Sequence, residues 1–386
     1  MIDIFLTSNF QMNVNLDVQQ LQDKRALPAI YQLSGKELEG GWIVGEMLKS
    51  PLDEDDGYSS GGTFSVCYSC SNGGKAAFLK VFDVFRALQS ADALQELQNV
   101  TTAFRHESFI VEICKKAGLS RVVRGLASVE TKIAEPLMAG VTIPFCYVIF
   151  EVADRGDLRR MLRRTSEVDL AFKFKILHEV AVGLSQLHKN RIAHQDLKPS
   201  NVGIFQRDSV GAKILDLGRA TSLDFSAFHD ALACPGDNSY APPEQLYGYT
   251  TDSFVDRRAS GDLFQLGSLL CFLLFWQTAN QQMLRRVPRE FWPQNWTGKY
   301  EDVLPYIQEA FAQWLNDVES EIPEWCRSDL MNLLRHACDP DPLRRGDPKA
   351  RMQRPTSIGM DRFVARLANL TRRAEVAVRI ARGQPN

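Results

Sequence analysis

Short strand-like runs dominate residues 40–151, whereas apolar positions beyond residue 157 recur at helical spacing. The first pattern predicts strands over Trp42–Leu48, Thr63–Cys70 and Ala76–Phe82, separated by turn-rich stretches at Ser50–Gly62 and Ser71–Gly74. A helix follows over about Ala91–Lys116, then strands over Val122–Val129 and Cys146–Glu151, so residues 40–151 read as a small α+β lobe. In the second pattern Leu170, Phe174, Leu177, Ala181, Leu184 and His188 share one face of a helix over Leu170–His188. Short strands at Val202–Phe205 and Ala212–Leu215 flank a turn at Asp208–Gly211. The segment Leu263–Trp276 is apolar all round, which predicts a helix at the centre of its lobe, with Ser260 and Asp262 suited to its N-terminus. A strand-rich lobe joined near Val152–Gly156 to a helix-rich lobe, residues 152–366, predicts a cleft between them, where ligands usually bind. Residues 1–39 are polar, with a weak helical pattern around Leu16–Leu33, and read as an N-terminal extension.

A length of 386 residues fits two or three domains or one bilobed one. With 45 basic against 47 acidic side chains, 45% hydrophobic and 24% charged residues, the chain does not read as disordered, collagen-like, a membrane channel or a dedicated nucleic-acid binder. The start, Met1 to Leu6, lacks a basic segment and a long apolar core, and Leu266–Trp276 is too short to span a bilayer. The expectation is a soluble, cytoplasmic protein without a membrane partner. Of eight scattered cysteines only Cys67 and Cys70 are close, and a lone CxxC without a second pair favours free thiols over zinc. From Arg344 to Asn386 the chain holds eleven Lys/Arg and three Asp/Glu, with Phe363, Leu367, Leu370, Ala374 and Val378 on one helical face. Residues 367–386 are set apart as a basic helical tail. Its readings are a docking helix or, preferably, a last large-lobe helix with a solvated basic face.

The chemistry concentrates in His194-Gln195-Asp196-Leu197-Lys198-Pro199-Ser200-Asn201, a loop at the lobe boundary, and in Asp216-Leu217-Gly218 after the second short strand. Phosphoryl transfer needs a carboxylate to orient a hydroxyl and accept its proton. It also needs oxygen ligands for Mg²⁺ and a cation to neutralise the transferring group. Asp196 suits the first role, Asn201 and Asp216 the second, Lys198 the third. The sequence resembles the eukaryotic-type (Hanks-type) Ser/Thr protein kinases over about residues 40–366. His194–Asn201 matches the catalytic loop HRDLKPxN, and Asp216–Gly218 matches DFG. Ala241-Pro242-Pro243-Glu244 stands where the family has APE, and Asp262 matches the aspartate that braces the catalytic loop. In Asp339–Arg345 an arginine should pair with Glu244, Arg345 first and Arg344 as the alternative.

That resemblance implies an α+β, bilobal, protein kinase-like fold with ATP and Mg²⁺ as cofactors. In the small lobe, Ala77–Val81 resembles the VAIK strand and nominates Lys80 for the α- and β-phosphates; Lys75 is the competitor, in a turn. Glu107 is the chosen partner of Lys80, because apolar residues follow it at +3 and +4, and Glu112 is the rival. The phosphate-covering loop falls at Gly61, Gly62, Thr63, Phe64 and Ser65, with one glycine of GxGxxG in place. The hinge falls at Phe150, Glu151, Val152 and Ala153, with Phe150 resembling the gatekeeper, and Asp157 is placed to meet the ribose. Three features depart from the family. Gln195 replaces an arginine that reads a phosphate on the activation segment, although Thr221, Ser222 and Ser226 are available there. Phe78 replaces a small alanine against the adenine. Gly236–Tyr240 departs from GTxxY.

The leading expectation is a protein kinase moving the ATP γ-phosphoryl group to Ser or Thr hydroxyls of a protein substrate. A small-molecule phosphotransferase would lack Lys198 and the APE segment. A pseudokinase scaffold would bind nucleotide or a partner without turnover, which Phe78 and the thinned glycine loop favour.

Overall fold

The computed structural model describes residues 27–48, 65–138, 140–164, 168–206 and 211–381. The N-terminal lobe is built on a six-stranded antiparallel sheet. Its strands are β1 (Glu37–Leu38), β2 (Trp42–Met47), β3 (Ser65–Asn72), β4 (Lys75–Phe82), β5 (Gly125–Ala134) and β6 (Thr142–Glu151), in the order β1-β2-β3-β4-β6-β5. Successive side chains point to opposite faces of a strand, and β4 shows the consequence. Ala77, Leu79 and Val81 join the outer core with Tyr68, Tyr147 and Ile149, whereas Phe78, Lys80 and Phe82 face the cleft side. The same alternation splits the CxxC: Cys67 lies opposite Lys80 and Cys70 opposite Ala77, so the two thiols sit on different faces. All eight cysteines are free.

The outer face needs a cover, and residues 27–38 supply it. Ile30 and Leu33 are fully buried there, the Tyr68 hydroxyl donates to the Ile30 carbonyl at 2.5 Å, and the Ala29 amide donates to Glu135 at 3.1 Å. The segment assigned from sequence to an extension therefore completes the lobe from residue 27 onward; residues 1–26 lie outside the described residues. On the inner face, α1 (Val84–Leu88) precedes α2 (Ala93–Lys116), whose Val100, Phe104, Ile110 and Val111 enter the main core. Asp92 caps α2 by accepting from the Gln95 amide.

The C-terminal lobe opens with α3 (Leu158–Arg164) and α4 (Leu170–Lys189), the latter capped by Asp169. Four short strands follow: β7 (Ile192–Ala193), β8 (Val202–Phe205), β9 (Gly211–Ile214) and β10 (Thr221–Ser222), paired β8 with β9 and β7 with β10. The remaining helices are α5 (Pro243–Leu246), α6 (Ser260–Phe275), α7 (Ala279–Leu284), α8 (Tyr300–Glu319), α9 (Glu324–Ala337), α10 (Pro348–Gln353) and α11 (Met360–Ala381).

Two expectations change here. Ser260 and Asp262 do not start the central helix, because a π-helical turn, Val255–Ala259, runs directly into α6. The Ser260 hydroxyl instead bonds back to the Asp256 carbonyl at 2.6 Å, four residues earlier. Together Val255–Phe275 is long and apolar enough to cross a membrane, yet 83% of its apolar window is buried inside the protein, as the core helix of its lobe. The boundary drawn at residue 366 falls inside α11. Phe363, Leu367, Leu370 and Ala374 are buried along one face, so this helix is a wall of the lobe rather than a separate tail.

Candidate active site

The catalytic-loop segment is held from below by one carboxylate. Asp262, fully buried on α6, accepts the amides of His194 at 2.7 Å and Gln195 at 2.8 Å, and the His188 Nε2–H at 2.9 Å. These bonds fix Gln195 at a φ of +67°, a region that non-glycine residues rarely occupy. His194 Nε2 donates to the Leu215 carbonyl at 2.9 Å, which leaves Nδ1 as the acceptor for the Asp196 amide at 3.3 Å. The loop thus delivers Asp196 with both carboxylate oxygens engaged. Asn201 Nδ2 reaches Asp196 Oδ2 at 3.0 Å, Lys198 Nζ lies 3.1 Å from that oxygen, and the Asp237 amide donates to Oδ1 at 2.8 Å.

Across the cleft, Lys80 Nζ sits between two acids, 2.9 Å and 3.0 Å from the Glu107 oxygens and 3.1 Å from Asp216 Oδ1. Glu107 is buried, whereas Glu112 lies on the opposite side with Lys115 and Lys116, and Lys75 is exposed at its turn. Two carboxylates around one ammonium leave an excess of negative charge. Lys80 pulls the Asp216 carboxyl down to about 2, and the two acids hold the Lys80 ammonium above its ordinary value despite burial. Burial pushes the Asp196 carboxyl the other way, upward, against the pull of Lys198. Two nearby acids driven apart in this manner divide into a permanently charged ligand and a group able to take a proton.

The remaining oxygens suit a hard cation. Asn201 spends its Nδ2 on Asp196, which leaves the Oδ1 carbonyl oxygen as its acceptor, and Asp216 Oδ2 receives no hydrogen bond from the described residues. The Leu215 amide donates to the Asn201 carbonyl at 2.8 Å, binding these two stretches of chain side by side. An amide oxygen beside a fully ionised carboxylate is the donor set that Mg²⁺ prefers.

A family model described as the protein kinase domain matches residues 61–355. The chain belongs to the protein kinase family. Its relatives include a probable serine/threonine-protein kinase of Dictyostelium discoideum, 26% identical over 52% of this chain and 18% of that protein. A probable serine/threonine-protein kinase of Corynebacterium efficiens is 32% identical over 32% of this chain and 18% of its own length. The dual specificity testis-specific protein kinase 2 of Mus musculus is 27% identical over 52% and 30%. The chain spans between 18% and 33% of the length of these and similar curated relatives. Protein kinase domains in general use ATP and a divalent metal.

The pairing of β4 with β6 places Phe150 directly opposite Phe78, on the face that carries Lys80. Two rings therefore lie side by side on that face, Phe78 at the position where the family has a small alanine. The Glu151 carboxylate turns to structural work, accepting the Arg124 amide at 2.8 Å and the Lys213 ammonium at 2.7 Å. The Ala153 carbonyl accepts the Gly156 amide at 2.8 Å, which closes the turn into the next lobe. Asp157 Oδ1 accepts the Arg160 amide at 2.9 Å in the first turn of α3. Ser65 opens β3, while Gly61, Gly62, Thr63 and Phe64 lie outside the described residues.

The Arg345 guanidinium meets Glu244 with two bonds of 2.7 Å, whereas the largely exposed Arg344 lies 3.7 Å from Asp339. Asp237 was not singled out from sequence. Besides its amide bond to Asp196, its carboxylate lies 3.5 Å from Lys198, and a Cβ on the preceding Gly236 would collide with the Gln195 carbonyl oxygen. The available signal was position, because Gly236-Asp237 occupies the start of the family's GTxxY.

Proposed function

We propose that this protein kinase uses ATP with Mg²⁺ to phosphorylate serine and threonine hydroxyls of protein substrates. The observation that carries this reading is Lys198, two residues beyond Asp196 and 3.1 Å from its carboxylate, a cation beside the base. Asp196 orients the hydroxyl and takes its proton as the new O–P bond forms, and its raised proton affinity suits that step. Lys198 neutralises charge on the transferring group. Lys80, held by Glu107, anchors the α- and β-phosphates. A divalent cation held by Asn201 and Asp216 supplies charge neutralisation at the phosphates. The serine/threonine names of several relatives support the same substrate class, although two relatives are named dual specificity and another is named a serine/threonine/tyrosine-protein kinase.

Incubation with ATP labelled at the γ-phosphate, Mg²⁺ and a generic Ser/Thr substrate, followed by identification of the labelled amino acid, tests the proposal. Phosphoserine or phosphothreonine is expected, and phosphotyrosine alone would overturn the specificity. A second reading, a nucleotide-binding scaffold, draws on Phe78 opposite Phe150 on the face that carries Lys80. Tight ATP binding with no label transferred would favour it.

A further inference from the structure

The kinase family uses an arginine next to the catalytic aspartate to read a phosphate on the activation segment, and here that position is Gln195. The cation has not vanished from the neighbourhood. Arg258, in the π-helical turn before α6, is 3% exposed and points its guanidinium at the same place. Its Nη1 donates to Gln195 Oε1 at 3.2 Å, and Gln195 Nε2 answers by donating to the Arg258 carbonyl at 2.9 Å. Its Nη2 donates to the carbonyl of Asp230 at 2.8 Å, with the Asp230 carboxylate 3.8 Å away. The neighbouring Arg257 donates to that carbonyl as well. Burial and the proximity of Arg257 lower the Arg258 pKa to about 10, so it remains charged at neutral pH.

Asp230 belongs to a single 3₁₀ turn, Phe228–Ala231, within the activation segment. The adjacent His229, fully buried, donates Nε2–H to the Ala220 carbonyl at 3.1 Å. His106, the residue before Glu107 on α2, donates to the same oxygen at 2.7 Å and packs edge-on against the His229 ring at 5.2 Å. One turn therefore touches the catalytic loop through Arg258 and the helix that holds Lys80 through His229. Of the four serine and threonine side chains between residues 216 and 244, Thr221 and Ser222 are buried in β10, while Ser226 and Ser239 are exposed.

We propose that Arg258 is a positioning residue that joins the catalytic loop to the activation segment through Asp230, so that the site assembles without a phosphate on that segment. This rests on the kinase reading above. The test compares four samples of the full chain: native, native treated with phosphatase until mass spectrometry finds no phosphate, Arg258→Met and Arg258→Lys. Phosphatase treatment should change kcat less than about twofold. Arg258→Met should lower kcat at least about tenfold with the KM for ATP within about twofold, and Arg258→Lys should regain part of the loss. Hydrogen exchange adds a readout that needs no turnover. Amides in 192–198 and 224–240 should exchange faster in Arg258→Met while those in α8 and α9 stay unchanged.

A kcat that collapses on dephosphorylation, or an Arg258→Met chain with native kcat and native exchange, would overturn the proposal. If the native chain transfers no phosphate, the kinase reading fails by itself and the exchange comparison still decides for or against the link. Should Arg258→Met not fold, Gln195→Leu breaks the same contact from the loop side and is read in the same way.

Discussion

Two buried ion pairs built from the same chemistry do different work in this molecule. Arg345 and Glu244 are 0% and 5% exposed, joined by two parallel bonds, and the remaining guanidinium donors reach the carbonyls of Asp339, Pro340 and Ser260. That pair is complete: every charge has its counter-charge and nothing is left to bind. Lys80 and Glu107 form an equally short contact, but Asp216 joins them and Lys80 keeps 14% of its side chain exposed to the cleft. This cluster is one cation short. The surplus negative charge gives it an attraction for a further cation, whereas the balanced pair only fixes the lobe.

The largest effect is expected where the balanced pair is broken. Arg345→Met leaves Glu244 buried with no counter-charge, a loss of about 3–5 kcal/mol in unfolding free energy by denaturant titration. Adding Glu244→Gln should recover part of it, because the stranded charge is gone. In the unbalanced cluster, Lys80→Met strands the buried Glu107 as well, but burial already raises the proton affinity of Glu107, so a single proton removes its charge. Asp216 reaches solvent, and the variant should cost less stability than Arg345→Met. Its phosphoryl-transfer kcat/KM should nevertheless fall about 100-fold or more, equivalent to ~2.7 kcal/mol. Equal stability losses in the two variants would erase the distinction.

A third, smaller effect comes from His229. Burial and His106 hold its imidazole at about 4, against an ordinary 6.5. Its Nδ1 is buried with no partner among the described residues, so a proton there would have no acceptor among them. Above pH 6.5 the folded and unfolded chains both keep it neutral, and it contributes no pH dependence. Between 6.5 and about 4 the unfolded chain takes up the proton first, so stability falls as pH falls, by at most about 1.4 kcal/mol per pH unit. Unfolding curves at pH 7 and 5 should converge in His229→Asn. The smallest effect is at Phe78: Phe78→Ala removes one of the two paired rings and should change the KM for ATP by roughly tenfold or less, measured in steady-state kinetics.

The catalytic loop was legible because its working residues lie within eight positions and their roles follow from residue type. Glu107 could be chosen over Glu112 because helical periodicity says which acid faces the core, and the structure places it on Lys80. Arg345 was favoured over Arg344, yet sequence alone could not settle it, because the choice depends on which side chain reaches under α6. Residues 27–38 were misread as an extension since nothing local reveals that they cover the far face of a sheet. The start of α6 was missed for a related reason. Ser260 and Asp262 look like helix-capping residues, but Asp262 is consumed by the catalytic-loop amides and the helix continues through a π turn. Arg258 and Asp230 were invisible: they are ordinary charges in sequence, and only the fold sets them beside Gln195.

The central claim is that Asp196 takes the proton in a transfer that the rest of the cluster prepares. Measuring γ-phosphate transfer and Mg²⁺-ATP binding side by side for the native chain and Asp196→Asn tests it most directly. The account predicts binding within about threefold of native and transfer reduced at least about 100-fold. Transfer at the native rate by Asp196→Asn would contradict it.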